Sequence, residues 1–353
     1  MDAPRAGGGG DQLRRFRRLA DLTALITLLL VVVGGVVRVS DSGLGCGPGG
    51  SGTEGWPLCG GAVIPLVGDE NRLIEFAHRA LAGVVVVLIA LLCWRAYQEL
   101  RSRRWAVRGS VAAGVLVLAQ AGLGGLTVEH GLEDELVAAH LGLAMLLLGL
   151  LLWLSARARA DAAEQVPDGE PSGRSIHARQ VPALKPFATV AALLLLSAIV
   201  AGGYMAGTEK EGVHGDGRNV AGAHLACGEQ FPECGDGRFL PFGDNRLTDI
   251  HLTHRALVYA ATLAILALLG VALARGSRDR WLAIAGLLLL VQLLLGALNV
   301  WLGEHATLIV AHLTTGTLLW IAVLEIGYRL AWFPVATLAH RPAPRAETSA
   351  AAA

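Results

Sequence analysis

The chain has 353 residues, 54% hydrophobic and only 16% charged, with 29 basic residues balancing 29 acidic ones. Soluble domains carry about a quarter charged residues, so this composition excludes an ordinary soluble domain, a disordered chain, collagen and a disulfide-dense secreted module. The zero net charge argues against nucleic acid, which calls for a basic surface. What remains is an integral membrane protein.

Eight stretches are long and apolar enough to cross a bilayer, which takes roughly 20 residues as a helix. They run over about 19–37, 73–94, 109–128 and 136–156, then 186–208, 250–274, 281–303 and 305–324. The first lacks a short apolar core followed by a small-residue cleavage site, so it reads as a retained helix and not a signal peptide. The expected fold is therefore an all-α membrane protein of eight transmembrane helices. A linker at 157–185, rich in Pro, Gly and charge, separates four helices from four. The organisation expected is a cytoplasmic tail at 1–18, a first half at 19–156, the linker, a second half at 186–330, and a disordered cytoplasmic tail at 331–353. The Gly-rich segment 7–10 also reads as disordered.

Arginines cluster in alternate connections, at 14–18, 95–108, 157–185 and 275–280. The positive-inside rule places these, and both termini, in the cytoplasm of a cell-membrane protein. Sorted this way, the cytoplasmic side carries 21 basic and 11 acidic residues and the outer side 8 and 18. The zero net charge is then the sum of about +10 and −10 on opposite faces.

The two halves look alike. Glu75-Phe-Ala-His78-Arg79-Ala80-Leu81 parallels His251-Leu-Thr-His254-Arg255-Ala256-Leu257 at an offset of 176 residues. Gln120 precedes His140 by twenty residues and Gln292 precedes His312 by twenty, with Gly124 matching Gly296 between them. Four helices is an even number, so the halves share one orientation, as two parallel-repeat four-helix bundles do.

Four of the eleven histidines lie inside spans: His78, His140, His254 and His312. A lone intramembrane His is often only a helix-to-helix hydrogen bond, but ionisable groups within spans are rare, and four at repeated positions point to function. At 1.5 Å per residue each sits just below the outer surface. Two imidazoles at equal depth in one bundle can bind opposite faces of a haem iron. Zinc is the rival, but no third or fourth ligand recurs at that depth in both halves. No Cys-x-x-Cys-His occurs, which argues against c-type haem. His130, His214, His224 and His305 fall in outer loops, and His177 and His340 on the cytoplasmic side; all six read as solvated surface histidines.

Cys46 and Cys59 share one outer loop and Cys227 and Cys234 another, so both pairs read as disulfides on the oxidising side. A loop of about 14 residues gives roughly 3 kcal/mol of stabilisation. Each pair is either a staple or a dithiol that exchanges electrons. Cys93 reads as a free packing thiol.

The asymmetry between halves is Glu75, whose place His251 takes. Glu75 is three residues before His78 and so shares its helix face. A carboxylate partly withdrawn from water can act as acid or base near neutrality; the alternative is an interfacial Glu paired with Arg79 or Arg72. Arg38, Arg79 and Arg255 suit haem propionates, and each is equally readable as an ordinary interfacial charge.

These residues resemble the haem A synthase family. The resemblance covers about residues 19–330. It rests on Gly34-Gly-Val-Val-Arg38-Val-Ser-Asp-Ser-Gly-Leu-Gly-Cys46, Trp56-Pro-Leu-Cys59, Glu75-x-x-His78-Arg79, the helix-borne His140 and His312, and the second Cys pair. It implies an enzyme that oxidises the C8 methyl of haem O to a formyl group, giving haem A for terminal oxidases. It further implies substrate haem between His78 and His140, with Glu75 catalytic, a haem b cofactor between His254 and His312, and Cys46–Cys59 as the redox-relevant disulfide. Haem O synthase and cytochrome oxidase assembly factors are the implied protein partners, and a homo-oligomer is compatible. The segment Gly47-Pro-Gly-Gly-Ser-Gly-Thr-Glu-Gly55 is a departure, lengthening a loop that is usually shorter in the family. With His on both axial positions, O₂ cannot bind that iron without displacing a ligand. Stepwise electron removal with attack by water is then the more natural route, Glu75 taking the proton. The residues taken alone leave two alternatives: a di-haem cytochrome that only passes electrons, for example to quinone, and a transporter built from parallel repeats.

Overall fold

The computed structural model describes residues 8–65, 69–163, 183–208, 222–235, 237–303 and 305–332. Eight helices account for nearly all regular structure there: α1 (Gly8–Val39), α2 (Glu70–Glu99), α3 (Arg104–Glu129), α4 (Asp134–Ala163), α5 (Leu184–Gly207), α6 (Arg246–Ala274), α7 (Arg280–Trp301) and α8 (Ala306–Ile326). All eight are long and apolar enough to cross a membrane.

The helices overrun the apolar stretches, and packing supplies the reason. The first begins at Gly8, inside the segment expected to be disordered and within the expected 1–18 tail. Leu13, Phe16 and Ala20 are fully buried, and the Phe16 ring meets Trp105 edge-on at 6.0 Å. Burying a Leu or Phe side chain contributes about 1.5–3 kcal/mol, enough to offset a glycine's helix cost of about 1 kcal/mol. Likewise α4 enters the expected linker as far as Ala163, because buried Asp161 is held by Arg103, by Arg157 at 3.1 Å and by the Trp105 indole at 2.9 Å. After α8 a π-helical turn, Gly327–Ala331, continues the chain. At the linker's other end α5 begins at Leu184, inside the expected 157–185 segment; residues 164–182 and the tail beyond 332 lie outside the described residues.

Helices α1, α4, α5 and α8 pack around a common seam, with α2 and α3 on one side and α6 and α7 on the other. Two hydrogen bonds cross to α4, from Trp320 of α8 to the Met145 carbonyl (3.1 Å) and from Tyr328 of the π-helical turn to that of Gly149 (3.0 Å). Arg38, at the end of α1, donates to the Ala206 carbonyl of α5 at 2.6 and 3.1 Å. Away from the seam, Leu22, Leu25 and Leu29, then Val111, Val115 and Leu118, then Leu287, Leu290 and Leu294 face outward. This three-to-four-residue spacing gives each helix an apolar outer stripe. In water such stripes would be an aggregation liability; in lipid they are the contact surface.

The described loop residues 40–65, 222–235 and 237–245 share one end of the molecule with the starts of α2 and α6. Both helices open on a side-chain cap there, Asp69 accepting from the Arg72 amide and Asn245 from that of Thr248, each at 2.9 Å. Both disulfides are formed, Cys46–Cys59 and Cys227–Cys234. Each loop has a cis X-Pro bond, Trp56–Pro57 and Phe231–Pro232.

Candidate functional site

Each of the four intramembrane histidines lies against a glycine of the preceding helix. A β-carbon on Gly34 of α1 would lie 3.2 Å from His78 Cε1 on α2. The corresponding distances are 3.2 Å for Gly124 and His140, 3.0 Å for Gly202 and His254, and 3.2 Å for Gly296 and His312. Any larger side chain would press on the ring, so the glycines let backbone and imidazole approach closely. The structure thus places the expected histidines within electrostatic reach of one another, His78 with His140 and His254 with His312. Among the described residues no three His, Cys, Asp or Glu side chains gather as a metal-binding set.

These rings fit an iron porphyrin by an observation of their own. The Nδ1 atoms of His78, His140 and His312 are buried without a hydrogen-bond partner. His254 donates from Nδ1 to the Ala198 carbonyl at 2.9 Å, which leaves its Nε2 lone pair for a ligand and fixes the ring as axial histidines commonly are. Gln120 and Gln292 sit beside the second histidine of each pair but bond differently. Gln120 donates to the His140 carbonyl at 2.7 Å, whereas the Gln292 amide nitrogen lies 3.1 Å from His312 Nε2. Each leaves its Oε1 buried and unpartnered.

Glu75 is 3% exposed. Its Oε2 accepts the Cys46 amide proton at 2.7 Å and its Oε1 pairs with Arg79, one turn on. The partner is thus Arg79, while Arg72 reaches the Gly45 carbonyl at 3.4 Å. A carboxylate has about four lone-pair positions, so two bonds leave room for a further donor.

Arg79 also donates to the Gly55 and Leu58 carbonyls, at 2.5 and 2.8 Å. Arg255 does the same in the second half, reaching Gln230 and Glu233 at 2.9 Å and Pro232 at 3.4 Å. Both arginines, and Arg38 with its bond to Ala206, are thus engaged with backbone carbonyls. In Glu75's place His251, also 3% exposed, donates from Nδ1 to the Ala223 carbonyl at 2.7 Å. The Gly47–Gly55 insert does not prevent disulfide closure. It folds through a short 3₁₀ turn at Gly52–Glu54 and supplies one of Arg79's acceptors.

Sequence reasoning missed three features. One is the Gly34/Gly202 pair of contacts, whose signal was the Gly-Gly doublet near the end of each half's first helix. The second is the seating of the following glycines, where a β-carbon would fall 2.7 Å from Leu313 at Gly35 and 2.9 Å from Leu141 at Gly203. Each therefore receives the leucine next to a histidine of the opposite half. The third is His224, set aside as a surface residue but half-buried within electrostatic range of His251, His254 and His312. His130 and His305 remain exposed on loops, as expected; His177, His214 and His340 lie outside the described residues.

The family model for cytochrome oxidase assembly proteins, COX15-CtaA, matches residues 17–324. Among similar curated proteins, the heme A synthase of Shouchella clausii is 29% identical over 255 residues, which is 71% of this chain and 74% of that protein. That of Halalkalibacterium halodurans is 26% identical over 258 residues, 72% and 74% of the two chains. That of Alkalihalophilus pseudofirmus is 31% identical over 151 residues, 43% of this chain and 49% of the relative. The match therefore spans about three quarters of two of these relatives and about half of the third.

Proposed function

The chain belongs to the COX15-CtaA family of cytochrome oxidase assembly proteins, and from that premise we propose that this multi-pass membrane protein is a haem A synthase. Haem O is the substrate, and its C8 methyl is oxidised to a formyl group. The half at 19–156 holds it between His78 and His140. The half at 186–330 holds haem b between His254 and His312, the two halves being parallel repeats. Both termini and the 157–185 linker are cytoplasmic, and the disulfide-bearing loops lie outside. Bound haem b supplies one-electron redox chemistry.

The observation that carries this reading is the repeated cradle of histidine on glycine combined with one acidic exception. The four histidine contacts are alike in both halves, whereas the buried carboxylate one turn before the first histidine belongs to one half only. Binding needs what is repeated; chemistry on one of two haems needs what is not.

Four electrons leave the methyl carbon for an oxidant outside this chain, two protons leave its C–H bonds and one leaves each of two attacking waters whose oxygens it gains, and the resulting gem-diol releases one water to leave the aldehyde. Glu75 takes the proton from the attacking water. Arg79 and the Cys46 amide hold its carboxylate at a fixed position during that transfer, and burial beneath the loop keeps bulk water from it. Positioned proton transfer of this kind contributes about 10²–10⁴-fold.

The test is to produce the full-length protein with a haem O source, purify it, and chromatograph its extracted porphyrins. Haem A is expected from the native chain and haem O from Glu75→Gln, with haem b retained in both. Normal haem A from Glu75→Gln would remove the role given to that carboxylate. Haem b with neither haem O nor haem A would make the protein an electron carrier and end the synthase reading.

A further inference from the structure

Two chemically active groups meet at one corner of the first half, the carboxylate of Glu75 and the disulfide Cys46–Cys59. One carboxylate oxygen is bonded directly to the amide of Cys46 at 2.7 Å. The other is held by Arg79, whose second terminal nitrogen grips Gly55 and Leu58, the latter adjacent to Cys59. The loop segments bearing the two half-cystines are also bonded to each other, Gly60 amide to Cys46 carbonyl at 2.7 Å. Glu75 is therefore tied to one half-cystine directly and to the flank of the other through Arg79. Cys46 and Cys59 are only 1% and 2% exposed. A thiolate must reach a sulfur to exchange with it, so attack on this disulfide requires the loop to lift, and lifting it breaks Arg79's bonds to the carbonyls.

We propose that Arg79 is a positioning residue that couples the hold on Glu75 to the redox state of Cys46–Cys59. With the disulfide closed, the loop presents the Cys46 amide and the Gly55 and Leu58 carbonyls together, and the carboxylate is fixed. When a dithiol donor reduces the bond, its two sulfurs form a new disulfide while Cys46 and Cys59 each take one electron and one proton. The two ends of the loop are then free to part, and Arg79 and Glu75 lose their shared anchor. The coupling is reciprocal: whatever holds the latched arrangement also favours the disulfide. The second half is an internal control. Arg255 grips Gln230 and Glu233 in the same manner, but position 251 offers an imidazole that binds a carbonyl and no half-cystine amide. The proposal draws its consequence for catalysis from the role given to Glu75, while the coupling rests on the hydrogen bonds alone.

The experiment equilibrates the full-length protein in bilayer nanodiscs with graded reduced and oxidised dithiothreitol, traps thiols by alkylation, and reads each disulfide separately by peptide mass spectrometry. Coupling free energies of ordinary size correspond to about 5–150-fold. Arg79→Gln is expected to shift the Cys46–Cys59 equilibrium toward the dithiol within that range and to leave Cys227–Cys234 where it was. Arg79→Lys should recover part of the shift. Glu75→Ala should move Cys46–Cys59 in the same direction, and because it leaves Arg79's loop contacts intact it carries the test by itself if Arg79→Gln does not fold. Arg255→Gln should move only Cys227–Cys234. An unmoved Cys46–Cys59 in Glu75→Ala, or equal movement of both disulfides in Arg79→Gln, overturns the proposal. None of these readings uses porphyrin, so failure of the synthase assignment would leave them standing, and their failure would leave that assignment untouched.

Discussion

The two disulfide-bearing corners are built to one plan and differ at one side chain. In each, a capped helix begins beside the loop, an arginine in its second or third turn grips two loop carbonyls three residues apart, and a histidine one residue earlier lies against a glycine. Glu75 in one corner accepts a hydrogen bond from the loop; His251 in the other donates one. The loop is tied down either way, so stapling the loop does not by itself require a carboxylate. What Glu75 adds is a buried carboxyl group beside a histidine, facing an arginine, with lone pairs to spare. On the proposed function, that difference separates a corner that would move protons from one that only holds a shape.

The sharpest way to break the comparison is to put a neutral amide at each of the two positions in turn. Glu75→Gln removes the base from the first corner and should lower haem A formation by about two to four powers of ten, the usual worth of a positioned acid or base. His251→Gln keeps a donor for the Ala223 carbonyl and should leave product formation close to the native level, as measured by porphyrin chromatography. Equal losses in the two variants would mean that position 75 serves the loop and not the chemistry.

A smaller effect separates the four glycine cradles. Overpacking a closely fitted site costs about 1–3 kcal/mol. A methyl at Gly34, Gly124 or Gly296 would meet its ring at 3.2 Å, where Nδ1 has no hydrogen-bond partner; at Gly202 it would meet His254 at 3.0 Å, with Nδ1 tied to Ala198. Gly202→Ala should therefore lose more haem on purification than Gly34→Ala, Gly124→Ala or Gly296→Ala, read as the haem-to-protein ratio from the Soret band. A loss at Gly202 no greater than at the others would show that the tether to Ala198 does not stiffen the ring.

The unevenness of what the sequence makes legible has a physical basis. Apolar runs of about 20 residues report hydrophobic thickness directly, so all eight helices were legible, and the 172- and 176-residue offsets made the four histidines and Glu75 stand out. The start of α1 was not legible, because Leu13 and Phe16 sit in an arginine-rich stretch and only contact with Trp105 makes a helix worthwhile there. The latch was hidden for a different reason. Arg79, Arg255 and His251 all bond to backbone carbonyls, which every residue carries and no side-chain pattern announces. Sequence reasoning offered propionates or ordinary interfacial charge for these arginines, and backbone carbonyls are partners that neither reading named.

The smallest predicted effect tests the sameness on which the comparison depends. Asp69 and Asn245 cap α2 and α6 through equal 2.9 Å bonds, and replacing such a cap with alanine costs about 1 kcal/mol. Asp69→Ala and Asn245→Ala should each lower the thermal midpoint in detergent by a similar, modest amount, because helix starts see only local geometry. Neither should shift the thiol–disulfide equilibrium of Cys46–Cys59, since the amides of Arg72 and Thr248 lie outside the latch. A cap variant that moved that disulfide as far as Arg79→Gln would show that fraying the start of α2 is enough to release the loop. The corner would then answer to helix stability in general, and the carboxylate's particular place in it would lose its meaning.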